Sequence, residues 1–146
     1  MIFVPSGDQS GLSVEFIPGV GMAHRLEAWD LVLGSVDALT APWFARARFN
    51  QARQGFRMAL DAATALGDET REARYAYFLA KAHLRLDDYS TARQLLERAI
   101  GVFQPMNDLP RLADAYVDLA DVAFEQAEFG EAGGSLAAAN AIYQDL

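Results

Sequence analysis

Charged side chains recur in register along this chain. Arg74, Lys81 and Arg85 are matched 40 positions later by Asp114, Asp121 and Glu125. Together with Asp118, these acids are spaced 4, 3 and 4 residues apart, which lines them along one face if the stretch is helical. Equivalent helices packed side by side at about 8–10 Å bring such charges within reach of one another. Two chemistries follow. The pairs form a salt-bridge ladder, each exposed pair contributing about 0–1 kcal/mol, or they form a cationic wall facing an anionic one, suited to a mixed-charge peptide. The two are compatible if a ligand displaces the pairs. A hard-metal site does not follow, because it needs oxygen ligands converging from several directions and one stripe supplies one.

The remaining candidates for chemistry resolve into structural roles. His24 and His83 lack a partner motif, and Asp87-Asp88 reads as a turn and a helix cap rather than an acid/base dyad. Ser90 and Thr91 have no neighbouring base. Gly19-Val20-Gly21 is not a phosphate loop, since its Lys is missing and too little strand precedes it. The sequence therefore points to binding without catalysis, and to no cofactor and no metal.

The elements that must position these charges are two amphipathic helices joined by a polar turn, from Ala73 to Ile100, and the segment from Ala113 repeats them. A shift of 40 superposes Leu79-Ala80 on Leu119-Ala120 and Asp88-Tyr89 on Glu128-Phe129. It also superposes Ala92 on Ala132, Leu96 on Leu136, Ala99 on Ala139 and Phe103 on Tyr143. Shifted the other way, Phe49, Ala52, Phe56 and Ala59 fall on Tyr89, Ala92, Leu96 and Ala99. Small residues let helix backbones approach and large ones fill the gaps. A period of this length with two helices per unit marks a helical solenoid.

On these residues the chain resembles the tetratricopeptide repeat (TPR) family from about residue 43 onward. Leu79-Ala80, Tyr89, Ala92, Leu96 and Ala99 fit its pattern, as do Leu119-Ala120, Phe129, Ala132, Leu136 and Ala139. It departs from that pattern in its period of 40 rather than about 34, in Ala76 and Tyr116 at the usual Trp position, and in His83 and Ala123 at the first-helix Tyr position. The longer units, with Leu66-Gly67-Asp68 as a linker, are similar to the extended TPRs of bacterial regulators and scaffolds. The resemblance implies an all-α, short right-handed superhelix whose first helices line a concave groove that binds a peptide or protein segment. Carried over by position, the groove residues are Arg74, Tyr77, Phe78, Lys81 and Arg85 from one unit, and Asp114, Val117, Asp118, Asp121 and Glu125 from the next. The acidic half departs from the Lys/Asn/Arg carboxylate clamp of chaperone-binding members. The implied function is an adaptor or scaffold. The alternatives are a ligand-sensing regulatory TPR protein and a small acidic secretion-type chaperone.

Composition narrows the partners. A net charge of −8 argues against nonspecific nucleic-acid binding, which requires cationic surface. No apolar run reaches the length of a membrane span, and the first residues lack the basic and apolar regions of a signal peptide. With no cysteine there is no disulfide framework, and the expected setting is cytoplasmic. Charge is segregated: residues 44–57 hold Arg46, Arg48, Arg53 and Arg57 with no acid, whereas residues 108–131 are strongly acidic. Such asymmetry steers partners or favours head-to-tail self-association, unless these are simply two solvated faces.

In chain order, residues 1–21 read as a non-helical leader, and Leu12, Val14 and Phe16 would share one face of a strand in a β-hairpin. A two-stranded hairpin alone is marginal in water, so the leader is an assembly element, a cover for the first helices or a disordered extension. Residues 22–146 form the helical domain, with helices expected at about 22–39, 43–66, 70–85, 89–103, 109–126 and 129–145. Pro42 is expected to break the first. Gly67 suits a helix C-terminus and Pro110 a first helical turn, while Gly133-Gly134 weaken the last helix by about 1 kcal/mol each relative to alanine. With Leu136, Ala139 and Tyr143 turned inward, Ala137, Ala138 and Ala141 remain outside as a candidate self-association face for a homo-oligomer.

Overall fold

The computed structural model describes Val20, His24 and residues 27–146. The expected leader, with Leu12, Val14 and Phe16, lies outside these, apart from Val20, which is helical and buried. Six α-helices follow: α1 (Trp29–Ala45), α2 (Phe49–Leu66), α3 (Glu69–Arg85), α4 (Tyr89–Phe103), α5 (Leu109–Glu125) and α6 (Phe129–Gln144). The described residues contain no strand. They fall into two compact units, one ending at Tyr75 and the other running from Ala76 to Leu146.

One turn joins every pair of neighbours. Glu27, Ala47, Gly67, Asp87, Asn107 and Ala127 all have positive φ, between 52° and 66°, and they stand 20 residues apart. At each turn from Ala47 onward, that residue's N–H bonds the carbonyl three residues back and the next N–H bonds the carbonyl five back. Asp87 N to Leu84 O at 3.2 Å and Asp88 N to His83 O at 2.9 Å are one example. This is a Schellman C-cap, and the residue that closes it also begins the next helix. Asp68, Asp88 and Asp108 add a side-chain N-cap, accepting from Arg71, Thr91 and Arg111 N–H, which satisfies donors the helix leaves open. The 40-residue repeat is thus two helix-turn modules of equal length.

In the first unit α1 packs against α2. The expectation that Pro42 ends the first helix is corrected: α1 runs through it to Ala45. An interior proline removes one backbone hydrogen bond and costs about 3 kcal/mol, but continuing the helix buries Trp43 to 3% exposure and sets Phe44 over Phe56, ring centroids 6.0 Å apart. The start is corrected as well, because Glu27 (φ 56°) turns the chain immediately before α1. Trp43 and Phe56 pack edge to face, ring centroids 5.6 Å apart, and the Trp43 ring abuts Gly55, where a Cβ would come within 2.1 Å of it.

In the second unit α5 packs on both α4 and α6. Leu96, Ala99 and Phe103 of α4, and Ala113, Ala120 and Ala123 of α5, are 2% exposed or less. The inward face of α6 is corrected. Ala132, Ser135 and Ala139 are buried, whereas Leu136 and Tyr143 stand 51% and 45% exposed. A helix covered from one side buries a single stripe, and the small residues take it because they allow the close approach to α5. Ala137 and Ala141 are exposed and Ala138 is half-buried.

Candidate functional site

The charged residues of α3 and α5 meet through a stagger. Lys81 Nζ lies 3.5 Å from Asp118 Oδ2, not beside Asp121, its equivalent in the 40-residue register. In the first unit, Arg74 Nη2 donates to Asp37 Oδ1 at 2.6 Å, so both pairs span 37 residues. Since the cation is on the later helix in one pair and on the earlier helix in the other, the offset belongs to the helices and not to side-chain reach. Successive first helices are displaced by three residues, about 4.5 Å along their axes. The ladder Arg74–Asp114, Lys81–Asp121, Arg85–Glu125 is therefore corrected. Asp114 accepts instead from the Tyr143 hydroxyl at 2.7 Å. The same stagger sets Arg85 against Val122 and Asp121 against Leu84. Among the described residues, neither Arg85 nor Asp121 has an ion-pair partner within 4.0 Å.

These unmatched charges line a cleft of about 410 Å³ in the second unit. Lys81, Leu84 and Arg85 come from the last turn and a half of α3, Asp87 and Tyr89 from the turn and the start of α4, and Asp118, Asp121, Phe124 and Glu125 from α5. Four carboxylates face two cations, so the cleft is net negative. Its apolar contribution is Leu84 and Phe124. Phe124 is 61% exposed and meets the edge of Phe129, itself 62% exposed, at 5.5 Å. Of the expected groove residues, Lys81, Arg85, Asp118, Asp121 and Glu125 are brought together here. Arg74 is held by Asp37, and Asp114 by Tyr143. Tyr77 is a packing residue, 7% exposed, its ring 6.5 Å from Phe103. Phe78 and Val117 are half-buried and do not line the cleft.

Asp118 sits at the cleft floor, 9% exposed. Burial pushes its carboxyl above the ordinary value, against the pull of the Lys81 ammonium and the Tyr77 hydroxyl. Lys81 in turn lies over the Tyr77 ring, 5.4 Å from its centroid, and donates to its hydroxyl at 3.4 Å. Burial first, and then the negative charge of Asp118, hold the Tyr77 phenol strongly protonated. At the opposite lip the Tyr89 hydroxyl donates to Asp87 Oδ1 at 3.0 Å. That bond, with a smaller influence from Glu125, raises its pKa. Below the turn, buried His83 places Nδ1 3.0 Å from Asp88 Oδ2, so the histidine is part of the cap that fixes the lip. Partial burial acts to raise the Asp88 carboxyl, but its bonds to Thr91 and the charge of His83 prevail and lower it. Arg93 of α4 ties the α5–α6 turn with bonds to Gln126 at 2.7 Å, Glu128 at 2.7 Å and Glu131 at 2.5 Å. His24, far along the chain in the first unit, pairs with Asp61 at 3.1 Å.

Leu84, Asp87, Tyr89 and Phe124 are the cleft residues that register alone did not indicate. The signal for them is the 37-residue stagger, which shifts α5 by one turn and brings Phe124 beside the α3–α4 turn. Among the described residues, no group of three or more His, Asp or Glu side chains is disposed to hold a metal ion. No helix among them is long and apolar enough to cross a membrane.

No family model and no curated protein matches the chain. Among solved structures, it is similar to the crystal structure of the TPR domain of Arabidopsis FLU, with a TM-score of 0.75 over 81% of this chain and 99% of that one, at 21% identity. The fold is TPR-like. Six helices joined by turns of one conformation make a helical-repeat framework.

Proposed function

We propose that the chain is a non-enzymatic adaptor that binds a mixed-charge peptide or protein segment in the cleft of Lys81, Arg85, Asp118, Asp121 and Glu125. The observation that carries this reading is that Arg85, Asp121 and Glu125 gather in one cleft with no ion-pair partner among the described residues. Asp121 and Glu125 offer carboxylates to a basic side chain of the ligand, and Arg85 offers a guanidinium to an acidic one. The exposed Phe124 supplies the apolar anchor that interfaces concentrate their energy on, while the charges set selectivity and encounter rate. Lys81 and Asp118 neutralise each other and act as the floor. The acidic, cysteine-free composition supports a cytoplasmic setting and a protein ligand in preference to nucleic acid.

The test uses two degenerate peptide libraries, one with a fixed central Arg and one with a fixed central Glu, each read by fluorescence anisotropy. The Arg library is expected to bind more tightly, and Asp121→Lys with Glu125→Lys should weaken it at least about tenfold, which corresponds to about 1.4 kcal/mol. Arg85→Glu should weaken the Glu library. Among the described residues, none of the three side chains has an ion-pair partner within 4.0 Å, so circular dichroism should be unchanged. Binding that ignores these substitutions would remove the cleft as the site.

A further inference from the structure

Arginines gather at one end of the α1–α2 pair, away from the acids of the same helices. Arg46 and Arg48 flank Ala47 in the turn, and Arg53 and Arg57 follow on α2. Arg46, Arg48 and Arg57 are exposed and Arg53 is half-buried. Among the described residues, none of the four has an ion-pair partner within 4.0 Å, whereas Arg71, Arg74, Arg93 and Arg111 are all paired. Asp30 stands at the far end of α1, and Asp37 is held by Arg74 and Tyr75. Asp61, paired with His24 at 3.1 Å, stands about 20 Å along α2 from Arg48, outside the screening length of about 10 Å at 0.1 M ionic strength. The turn is thus a locally positive surface on a chain whose net charge is −8.

The cleft of the second unit offers the opposite charge at a matching spacing. Its four carboxylates against two cations leave two negative charges, as many as Arg46 and Arg48 carry positive. Asp121 and Glu125, one helical turn apart, hold their Cβ atoms about 5–6 Å apart. Arg46 and Arg48, separated by one residue, have Cα atoms within about 7 Å of each other. Each guanidinium can therefore take its own carboxylate, in charge-assisted hydrogen bonds that are stronger than neutral ones. Phe124, 61% exposed, supplies a ring on which an arginine stacks.

We infer that copies of this chain associate head to tail: the Arg46-Ala47-Arg48 turn of one enters the cleft of the next, its arginines on Asp121 and Glu125. This deepens the cleft reading above and rests on it, since it names a second copy as the carrier of the basic segment. The two surfaces are different patches of one chain, so the contact is heterologous, and each open assembly keeps a free turn at one end and a free cleft at the other. The general repulsion between acidic copies is screened beyond about 10 Å at 0.1 M ionic strength, which leaves the local pairing to decide. One turn in one cleft is a small contact, so the association is reversible.

Two variants of the full chain test this by sedimentation velocity. Arg46→Ser with Arg48→Ser disables the turn and keeps the cleft, whereas Asp121→Lys with Glu125→Lys disables the cleft and keeps the turn. The unaltered chain is expected to rise in mass from 16.0 kDa with concentration, and each variant alone to associate at least about tenfold more weakly. Mixed in equal amounts, the two should pair and stop at twice that mass, because one intact turn and one intact cleft remain between them. Misfolded variants would not be rescued by mixing. A monomer at every concentration up to about 1 mM, association that survives either pair of substitutions, or a mixture that stays monomeric overturns the proposal. A monomeric chain that still binds the Arg peptide library at the cleft would sink self-association alone. One that binds neither would sink the cleft reading with it.

Discussion

Asp118 is buried beside a single counter-ion, and that makes Lys81 matter beyond its charge. Because burial raises the Asp118 carboxyl above its ordinary 3.8, the ionised form costs stability above the folded-state pKa, and the cost is relieved as pH falls towards 3.8. Lys81→Met removes the compensation and should destabilise the fold by about 2 kcal/mol at neutral pH. The deficit should shrink as the pH is lowered through the raised pKa, since a protonated Asp118 needs no counter-ion. Urea denaturation at a series of pH values measures this, and a deficit independent of pH would assign the effect to the packed Lys81 methylenes. The turn residues are a second case at this scale. Ala127 holds a left-handed conformation (φ 60°) that costs an L-residue about 1–2 kcal/mol. Ala127→Gly should therefore stabilise the protein by about 0.5–1 kcal/mol, and Gly67→Ala should destabilise it by a similar amount in thermal melts.

Among the elements, α1 and α2 are held by one size match. Gly55 leaves the space that the Trp43 ring fills, and a methyl there would come within 2.1 Å of it. The 40-residue equivalents are His83 with Leu95 and Ala123 with Ser135, so large and small residues are redistributed between the two helices from repeat to repeat. Gly55→Ala should cost about 1–3 kcal/mol by overpacking, although alanine is the better helix former. Trp43→Leu in the same chain should recover part of that loss, measured by urea denaturation. The helices themselves were readable where sequence carries end signals. Asp88 and Pro110 mark starts and Gly67 marks an end, whereas Asp108, which caps α5, reads in the sequence as part of a loop. At α1 the proline signal misled, because local propensity was outweighed by burial of Trp43. On α6 the hydrophobic pattern could not say which face was inside, since nearly all of its residues are apolar or small.

For the molecule as a whole, the repeat and the TPR-like fold were legible in Leu79-Ala80, Ala92, Leu96, Ala99 and their equivalents, because side-chain size alternates with helix contacts. The cleft was legible only in part. Sequence register gives which residues correspond, but not how far one helix slides along another, and a three-residue slide decides that Lys81 meets Asp118 while Asp121 and Arg85 stay unpaired. The acidic excess of the second unit also sets how binding responds to salt. Exposed carboxylates are screened beyond about 10 Å at 0.1 M ionic strength, so affinity for an Arg-bearing peptide should fall steadily as salt is added. Affinity constant across a salt titration would mean that Phe124 and not charge governs recognition.

The recurrence of one turn conformation every 20 residues has a consequence for how this chain can change in length. A segment cut at Asp87 and again at Ala127 begins and ends in the same backbone geometry, so it can be deleted or duplicated and its flanking ends will still join. Length is therefore quantised. Forty residues preserve both the turn and the alternation of first and second helices, and twenty preserve the turn but exchange the roles of every helix downstream. A number that is not a multiple of twenty places an arbitrary residue where the chain must turn left-handed.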